Sequence, residues 1–204
     1  MSDLISLPHY QQSAEGYCLP ACARMVLAYL GLELTEAEVS RTLGAQEYGT
    51  PQIVTIDFNG TPVTLLHFHP TPTNLGPQDQ MDWSVRERER QARIVADWVA
   101  AHPGPLIAPV DFNACDQSVA YAIVTSILVD SWREAGWGLG HTFPGADSPG
   151  SSRATIGGIP VPMWLTRIDH VFHSRHWQAN SAWLGPWDGV SDHRPVMARL
   201  TLVK

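Results

Sequence analysis

Four short segments hold the side chains best suited to chemistry: Leu66-His67-Phe68-His69-Pro70, Val110-Asp111-Phe112-Asn113, Arg167-Ile168-Asp169-His170-Val171 and Ser191-Asp192-His193-Arg194-Pro195. Each begins or ends a run that reads as a strand, where polar groups can leave the sheet. Carboxylate oxygens suit a hard divalent cation, imidazole can move a proton or stabilise charge, and an amide can hold a phosphoryl oxygen. Taken singly, each has a plainer meaning. Asp-x-Asn after a strand is a common turn former, and Asp-His is a common surface pair. Together they contain what phosphate-ester hydrolysis requires: a held cation, a group to activate water, and donors for the phosphoryl oxygens.

Those segments need elements to position them. Ile53–Phe58, Asn59-Gly60 and Val63–Phe68 predict a β-hairpin, because Asn-Gly favours a tight two-residue turn. A Pro/Thr-rich loop, Pro70 to Pro77, leads to an amphipathic helix over Trp83–Ala101. Its apolar positions are Val85, Ile94, Val95, Trp98 and Val99, and its charges lie between Arg86 and Arg93. A buried strand at Leu106–Val110, a helix over Ser118–Leu128, a long Gly/Pro/Ser loop from Gly136 to Pro162, and strands at Thr166–Ser174 and Arg194–Val203 complete this part. The first fifty residues read as helical. Cys18–Leu30 stops at Gly31, and Thr35-Glu36-Ala37-Glu38 matches a capping box opening a helix to about Leu43.

A net charge of -7 excludes a surface that gathers nucleic acid by bulk attraction, and favours a small phosphoester or a substrate reached through a bound cation. The 44% hydrophobic and 16% charged content is that of a folded chain. Eight tryptophans are many, and the beds expected for them are loop anchors in a core, with one or two lining a substrate cleft. Three cysteines, Cys18, Cys22 and Cys115, make no disulfide framework. Met1 to Tyr10 has neither the basic start nor the apolar run of a signal peptide, and no run of about 18 apolar residues exists to span a bilayer. The expectation is a cytoplasmic protein.

The order of the four segments resembles the endonuclease/exonuclease/phosphatase superfamily, whose signature turns are Gly-Asp-x-Asn and Ser-Asp-His. Ser191-Asp192-His193 matches the second in full, and Val110-Asp111-Phe112-Asn113 matches the first without its Gly. The run Gly138-x-Gly140-x-Thr142-Phe143-Pro144, with Ile159-Pro160, is similar to bacterial subfamilies acting on small or lipid-linked phosphates. The resemblance implies an α+β fold: residues 52–204 form part of a two-sheet α/β/β/α sandwich, preceded by a short helical segment over 1–51. It implies a metal-dependent phosphodiesterase or phosphatase using Mg²⁺ or Mn²⁺. Asp111 would position or deprotonate water, Asn113 would hold the phosphoryl group, and His69 would contact phosphate. His193 would stabilise the transition state with Asp169 fixing its tautomer, and Asp192, Asp111 and His193 would form the metal shell. Members of the superfamily normally begin with a further strand-rich half that carries an Asn and a metal-binding Glu, which this sequence does not show. An apolar sheet face left by that departure predicts a homodimer.

Gln12, Cys18, Pro20-Ala21-Cys22 and Met25–Gly31 resemble the start of papain-like peptidases that process bacteriocin leaders. That resemblance implies an oxyanion-hole Gln and a nucleophilic Cys at a helix N-terminus. Two alternatives to the phosphoesterase therefore stand: a cysteine peptidase-like hydrolase using Cys18, and an inactive fragment kept for binding or assembly.

Overall fold

The computed structural model describes residues 8–11, 13, 18–43, 52–72, 77–145, 153, 155–187, 189 and 191–203. The chain divides into two compact units, 1–52 and 53–204. The first holds α1 (Cys18–Tyr29) and α2 (Glu36–Leu43). Helix α1 closes as a Schellman motif, with Gly31 N donating to Ala28 O at 3.0 Å and Leu32 N to Leu27 O at 2.8 Å. The capping box forms: Glu38 N donates to Thr35 Oγ1 at 3.3 Å, and Thr35 N to Glu38 Oε2 at 2.8 Å. Cys18 opens α1, but the side chains of Gln12, Cys18 and Cys22 lie outside the described residues.

The second unit is built on β1 (Gln52–Phe58), β2 (Thr61–His67), α3 (Gln78–Ala101), β3 (Leu106–Asp111), α4 (Val119–Thr125), β4 (Val129–Asp130) and α5 (Ser131–Ala135). These are followed by β5 (Thr155–Ile156), β6 (Ile159–Pro160), β7 (Asp169–His173), β8 (Trp177–Leu184) and β9 (Val196–Leu202). It is a mixed α+β unit. Five strands form one sheet in the order β1-β2-β3-β7-β4, while β8-β9 and β5-β6 form two-stranded sheets. Helix α3 is the crossover that lets β2 and β3 run parallel, and β7 is antiparallel to both β3 and β4. The expected hairpin turns on Asn59 (φ 54) and Gly60 (φ 81), the two positive-φ positions that such a turn demands.

The core lies on one face of this sheet. Ser84, Arg88, Ala92 and Val95 recur along one side of α3 and are buried. Ala92 and Val95 pack with Leu106, Ala108, Val110 and Phe172 from the sheet and with Ala120, Tyr121 and Val124 from α4. Strand alternation then sends Asp111 and Asp169 to the opposite face. Among the described residues, no helix is long and apolar enough to cross a membrane.

Several elements depart from the sequence-based expectation: α3 begins at Gln78, and the short β4, β5 and β6 were not expected. Strand β8, missed because Trp177-Gln178-Ala179-Asn180 is poor in β-branched residues, buries Trp177 and Ala179 in alternation and, past a register shift between Ala179 and Ser181, Ala182. Helix α5 is too short to show periodicity and exists through its cap, Asp130 Oδ1 accepting from Trp132 N at 2.9 Å. The strand expected from Thr166 begins only at Asp169, because Thr166 is diverted to a bridge with Phe143.

One buried ionic cluster ties these elements together. Asp130 accepts from Arg167 Nη1 at 2.7 Å and Tyr121 Oη at 2.8 Å, and Arg167 Nη2 donates to Asp116 at 3.0 Å. Burial opposes the Asp130 charge, but hydrogen bonding and charge from His170 and Arg167 outweigh it and hold its carboxyl far below the usual range. Burial, then the Asp130 charge, pushes the Tyr121 phenol up to about 12. A carboxylate with a depressed pKa in the folded state contributes fully above its unfolded value, about 4, and loses that contribution as pH falls toward the folded value. We predict that Asp130→Asn costs about 3–5 kcal/mol at neutral pH by removing the buried carboxylate shared by Arg167 Nη1 and Tyr121 Oη, leaving Asp116 as the one acid on Arg167 among the described residues. Thermal denaturation against pH should show the variant's deficit shrinking below about pH 4.

Candidate active site

Strand β3 ends at Asp111 and β7 begins at Asp169, and the antiparallel register sets these two residues directly opposite one another. Cross-strand partners share a face, so two carboxylates confront each other at one end of the sheet. Like charges so placed repel, and the structure puts an imidazole beside both. His193 Nδ1–H donates to Asp169 Oδ2 at 2.8 Å, while its Nε2 faces Asp111 Oδ2 at 3.9 Å. His69 Nε2 approaches the same Asp111 oxygen at 3.3 Å.

The titration behaviour follows from this geometry. Burial works against a charged His193, but the hydrogen bond and charge of Asp169, with the charges of Asp111 and Asp192, raise its pKa above the ordinary imidazole value. The hydrogen bond to Asp111 raises that of His69 in spite of partial burial. Burial opposes ionisation of Asp111, and the two imidazoles with the Asn113 amide overcome it, leaving its pKa lowered. Asp111, Asp169 and His193 present ligand atoms within 4.8 Å of one another, the one such group among the described residues. It takes in Asp169, where the sequence-based metal shell had Asp192.

Asn113 sits at φ 52, a left-handed position that Asn tolerates, and its backbone N donates to Asp111 Oδ1 at 3.0 Å. Its side-chain amide donates to Pro70 O at 3.0 Å, so one donor expected for a phosphoryl group fastens the turn after His69. Val110, which replaces the signature Gly, is an ordinary buried strand residue paired with His170. The unusual φ falls at Asn113 instead, which is why the turn accepts Val110.

His193 arrives on the loop from β8 to β9, and residues 142–145 hold that loop in place. Thr142 O accepts from Arg194 N at 2.9 Å, and Gly145 N donates to Asp192 O at 2.6 Å. A Cβ on Gly145 would stand 2.9 Å from Asp192 Cα, so only glycine permits this approach. The fully buried Thr142 hydroxyl accepts from Ile168 N at 3.2 Å and Asp169 N at 3.3 Å. Thr142 thus grips both the His193 loop and the start of β7. Sequence reasoning noted the run containing Thr142 but assigned it no role, since its partners lie 26 and more residues away.

Phe143 packs its ring 4.9 Å from that of His193. Arg194 stacks 4.3 Å over Trp164, which meets Trp187 edge-on at 5.6 Å. A cleft of about 320 Å³ opens here, lined by Asp169, Pro186, Ser191, His193, Arg194 and Pro195.

No family model matches the chain, and no curated protein matches it. Solved structures share the fold. An endonuclease/exonuclease/phosphatase from Beutenbergia cavernae DSM 12333 aligns with TM-score 0.54 and 24% identity, over 75% of this chain and 39% of that one. Humanized D. rerio TDP2 carrying 14 mutations aligns at 0.50 and 19%, over 74% and 60%. A functionally unknown conserved protein from Enterococcus faecalis V583 aligns at 0.50 and 20%, over 70% and 51%. The chain spans about half the length of structures it matches, 49% and 51% of two of them. Nothing in these comparisons supports the papain-like resemblance of the first fifty residues.

Thr142→Val keeps the volume and removes the acceptor of the Asp169 amide, so the variant should lose about 1–3 kcal/mol of stability. Thermal denaturation measures this. A parent-like melting temperature would show that the hydroxyl does not hold the two segments.

Proposed function

We propose that residues 53–204 carry a divalent-cation-dependent phosphoester hydrolase site acting on a phosphodiester or a small phosphate ester. The observation that supports this best is the His193 imidazole held by Asp169 and facing Asp111. The fold shared with a protein described as an endonuclease/exonuclease/phosphatase agrees with it.

The donor set fits a hard cation, with two carboxylates and one imidazole gathered at the sheet's end. Asp111 and Asp169 would hold Mg²⁺ or Mn²⁺ through oxygen, with Asp192 the next carboxylate along the loop and the protonated His193 beside the ion as a donor. When bound, the ion supplies Lewis acidity toward a phosphoryl oxygen. The chain's own groups do the rest. Asp169 accepts the Nδ1–H of His193 and favours the protonated ring, so that Nε2 also carries a hydrogen to donate to charge that develops on the phosphoryl group. Asp111 accepts the proton of, or orients, the attacking water. His69, whose Nε2 meets Asp111 at 3.3 Å, would contact a second phosphoryl oxygen. The substrate enters through the cleft beside Arg194.

The edge strand β1 exposes Ile53, Val54, Ile56 and Phe58, each 39–49% accessible. An apolar unpaired edge favours strand-to-strand association, which supports the expected homodimer. Light scattering should report a dimer, and a monomer at high protein concentration would contradict it.

Hydrolysis of bis(p-nitrophenyl) phosphate should require Mg²⁺ or Mn²⁺ and stop on chelation, and Asp111→Ala should abolish it. His193→Ala should lose about 3–4 kcal/mol in kcat/KM, Asp169→Asn less, and the double variant little more than His193→Ala. Because the raised His193 pKa keeps the donor protonated to higher pH, the alkaline limb should lie above about pH 6.5, the free imidazole value. Asp169→Asn should move that limb to lower pH. Additive losses, or an unmoved limb, would separate descent from mechanism.

A further inference from the structure

His69 reaches Asp111 although the sheet does not place it there. The parallel pairing of β2 with β3 runs through Thr64↔Leu106 and Leu65↔Ile107. Pro109 lies just beyond and has no N–H to give a ladder. There the His67 ring bonds Pro109 O at 3.0 Å, and the chain leaves the sheet as His69-Pro70-Thr71.

Side chains from two elements fasten this departing turn. From the β3 end, Asn113 Nδ2 donates to Pro70 O at 3.0 Å. From α3, Arg88 Nη1 donates to Thr71 O at 2.9 Å. Gln91 completes the grip, its Oε1 accepting from Thr71 N at 2.9 Å and its Nε2 donating to Thr71 Oγ1 at 3.0 Å. A further bond from Gln91 Nε2 to Glu87 Oε1, at 3.2 Å, sets the orientation of the amide. Thr71 therefore has its backbone N–H, carbonyl and hydroxyl all engaged by one helix.

Arg88 is an unusual residue for such a position. It is 6% exposed, and among the described residues no carboxylate pairs with it. Burying a guanidinium without an acid is costly, and such a group persists where its donors are needed. A leucine or methionine at this α3 position would fill the core at lower cost.

We infer that Arg88 and Gln91 are positioning residues: through Thr71 they hold His69 against Asp111. Neither touches substrate. The inference rests on the hydrolase reading for its kinetic consequence and on geometry alone for its structural one. Its logic is that a donor must be held to within about an ångström to act, and a strand that has left its sheet does not supply this.

Ring-resolved histidine NMR on the full chain tests the structural part without any assay of turnover. Arg88→Met should shift the His69 Cε1–Hε1 signal and leave that of His102, at the far end of α3, in place. Arg88→Lys, which keeps a donor for Thr71, should return the signal toward the parent position. Should Arg88→Met fail to fold, Gln91→Ala removes two Thr71 bonds from a half-buried site and is read in the same way. An unmoved His69 signal, or an equal shift at His102, overturns the inference. In the kinetic arm, on bis(p-nitrophenyl) phosphate with Mn²⁺, kcat should fall by on the order of a hundredfold with KM unchanged. There should be no further loss when Arg88→Met is added to His69→Ala, and additive losses overturn the inference. A parent chain that hydrolyses nothing would overturn the hydrolase reading instead, with the NMR comparison still deciding the clamp.

Discussion

The confrontation of Asp111 and Asp169 across β3 and β7 governs the site. Their pairing follows from a register of five residue pairs, Ile107↔His173 to Asp111↔Asp169, so neither carboxylate can withdraw without slipping the strand. A slip of one residue would send Val110 and Phe172 to the solvent face and abolish the core. The sheet thus forces two negative charges together, and positive charge must come to them. His193 comes from the distant β8–β9 loop, His69 from the end of β2, and the grouping is one that a divalent cation would complete. Thr142, Gly145 and the turn at Asn113 are the means by which those loops are brought in.

Local signals were legible in the sequence. The Asn-Gly turn, the capping box and the stop at Gly31 each depend on neighbours a few residues apart, and each forms. The apolar stripe read for α3 holds only at Val95, Trp98 and Val99, since Val85 and Ile94 are exposed and the buried side continues through Ser84, Arg88 and Ala92. What the sequence did not show is what depends on distance. Strand β8 is built from residues of low strand propensity and is held by pairing with β9. The Thr142 hydroxyl, the Arg88 guanidinium and the Gln91 amide find partners 17–27 residues away. The conspicuous motif residues were easier to see than the side chains that hold them, because a motif states a residue type and a support states a contact.

Asn113 shows how the two kinds of information combine. The resemblance implied a phosphate-holding residue, its φ of 52 marks it as a turn former, and its amide on Pro70 makes it part of the clamp on the His69 turn. Val110 teaches the complementary lesson. The expected glycine is dispensable because the backbone there is extended and the left-handed residue lies three positions on. Every group named at this end of the sheet belongs to one unit, 53–204.

The central claim is that the Asp111–Asp169 pair is a seat for positive charge shared with His193, and its most direct test is a Mn²⁺ titration observed at the histidine rings. Paramagnetic broadening should reach His193 and His69 first and spare His173, which is buried against Glu134. It should vanish in an Asp111→Asn/Asp169→Asn double variant that retains its fold. Broadening that is uniform over the histidines, or that survives the double variant, would contradict the account.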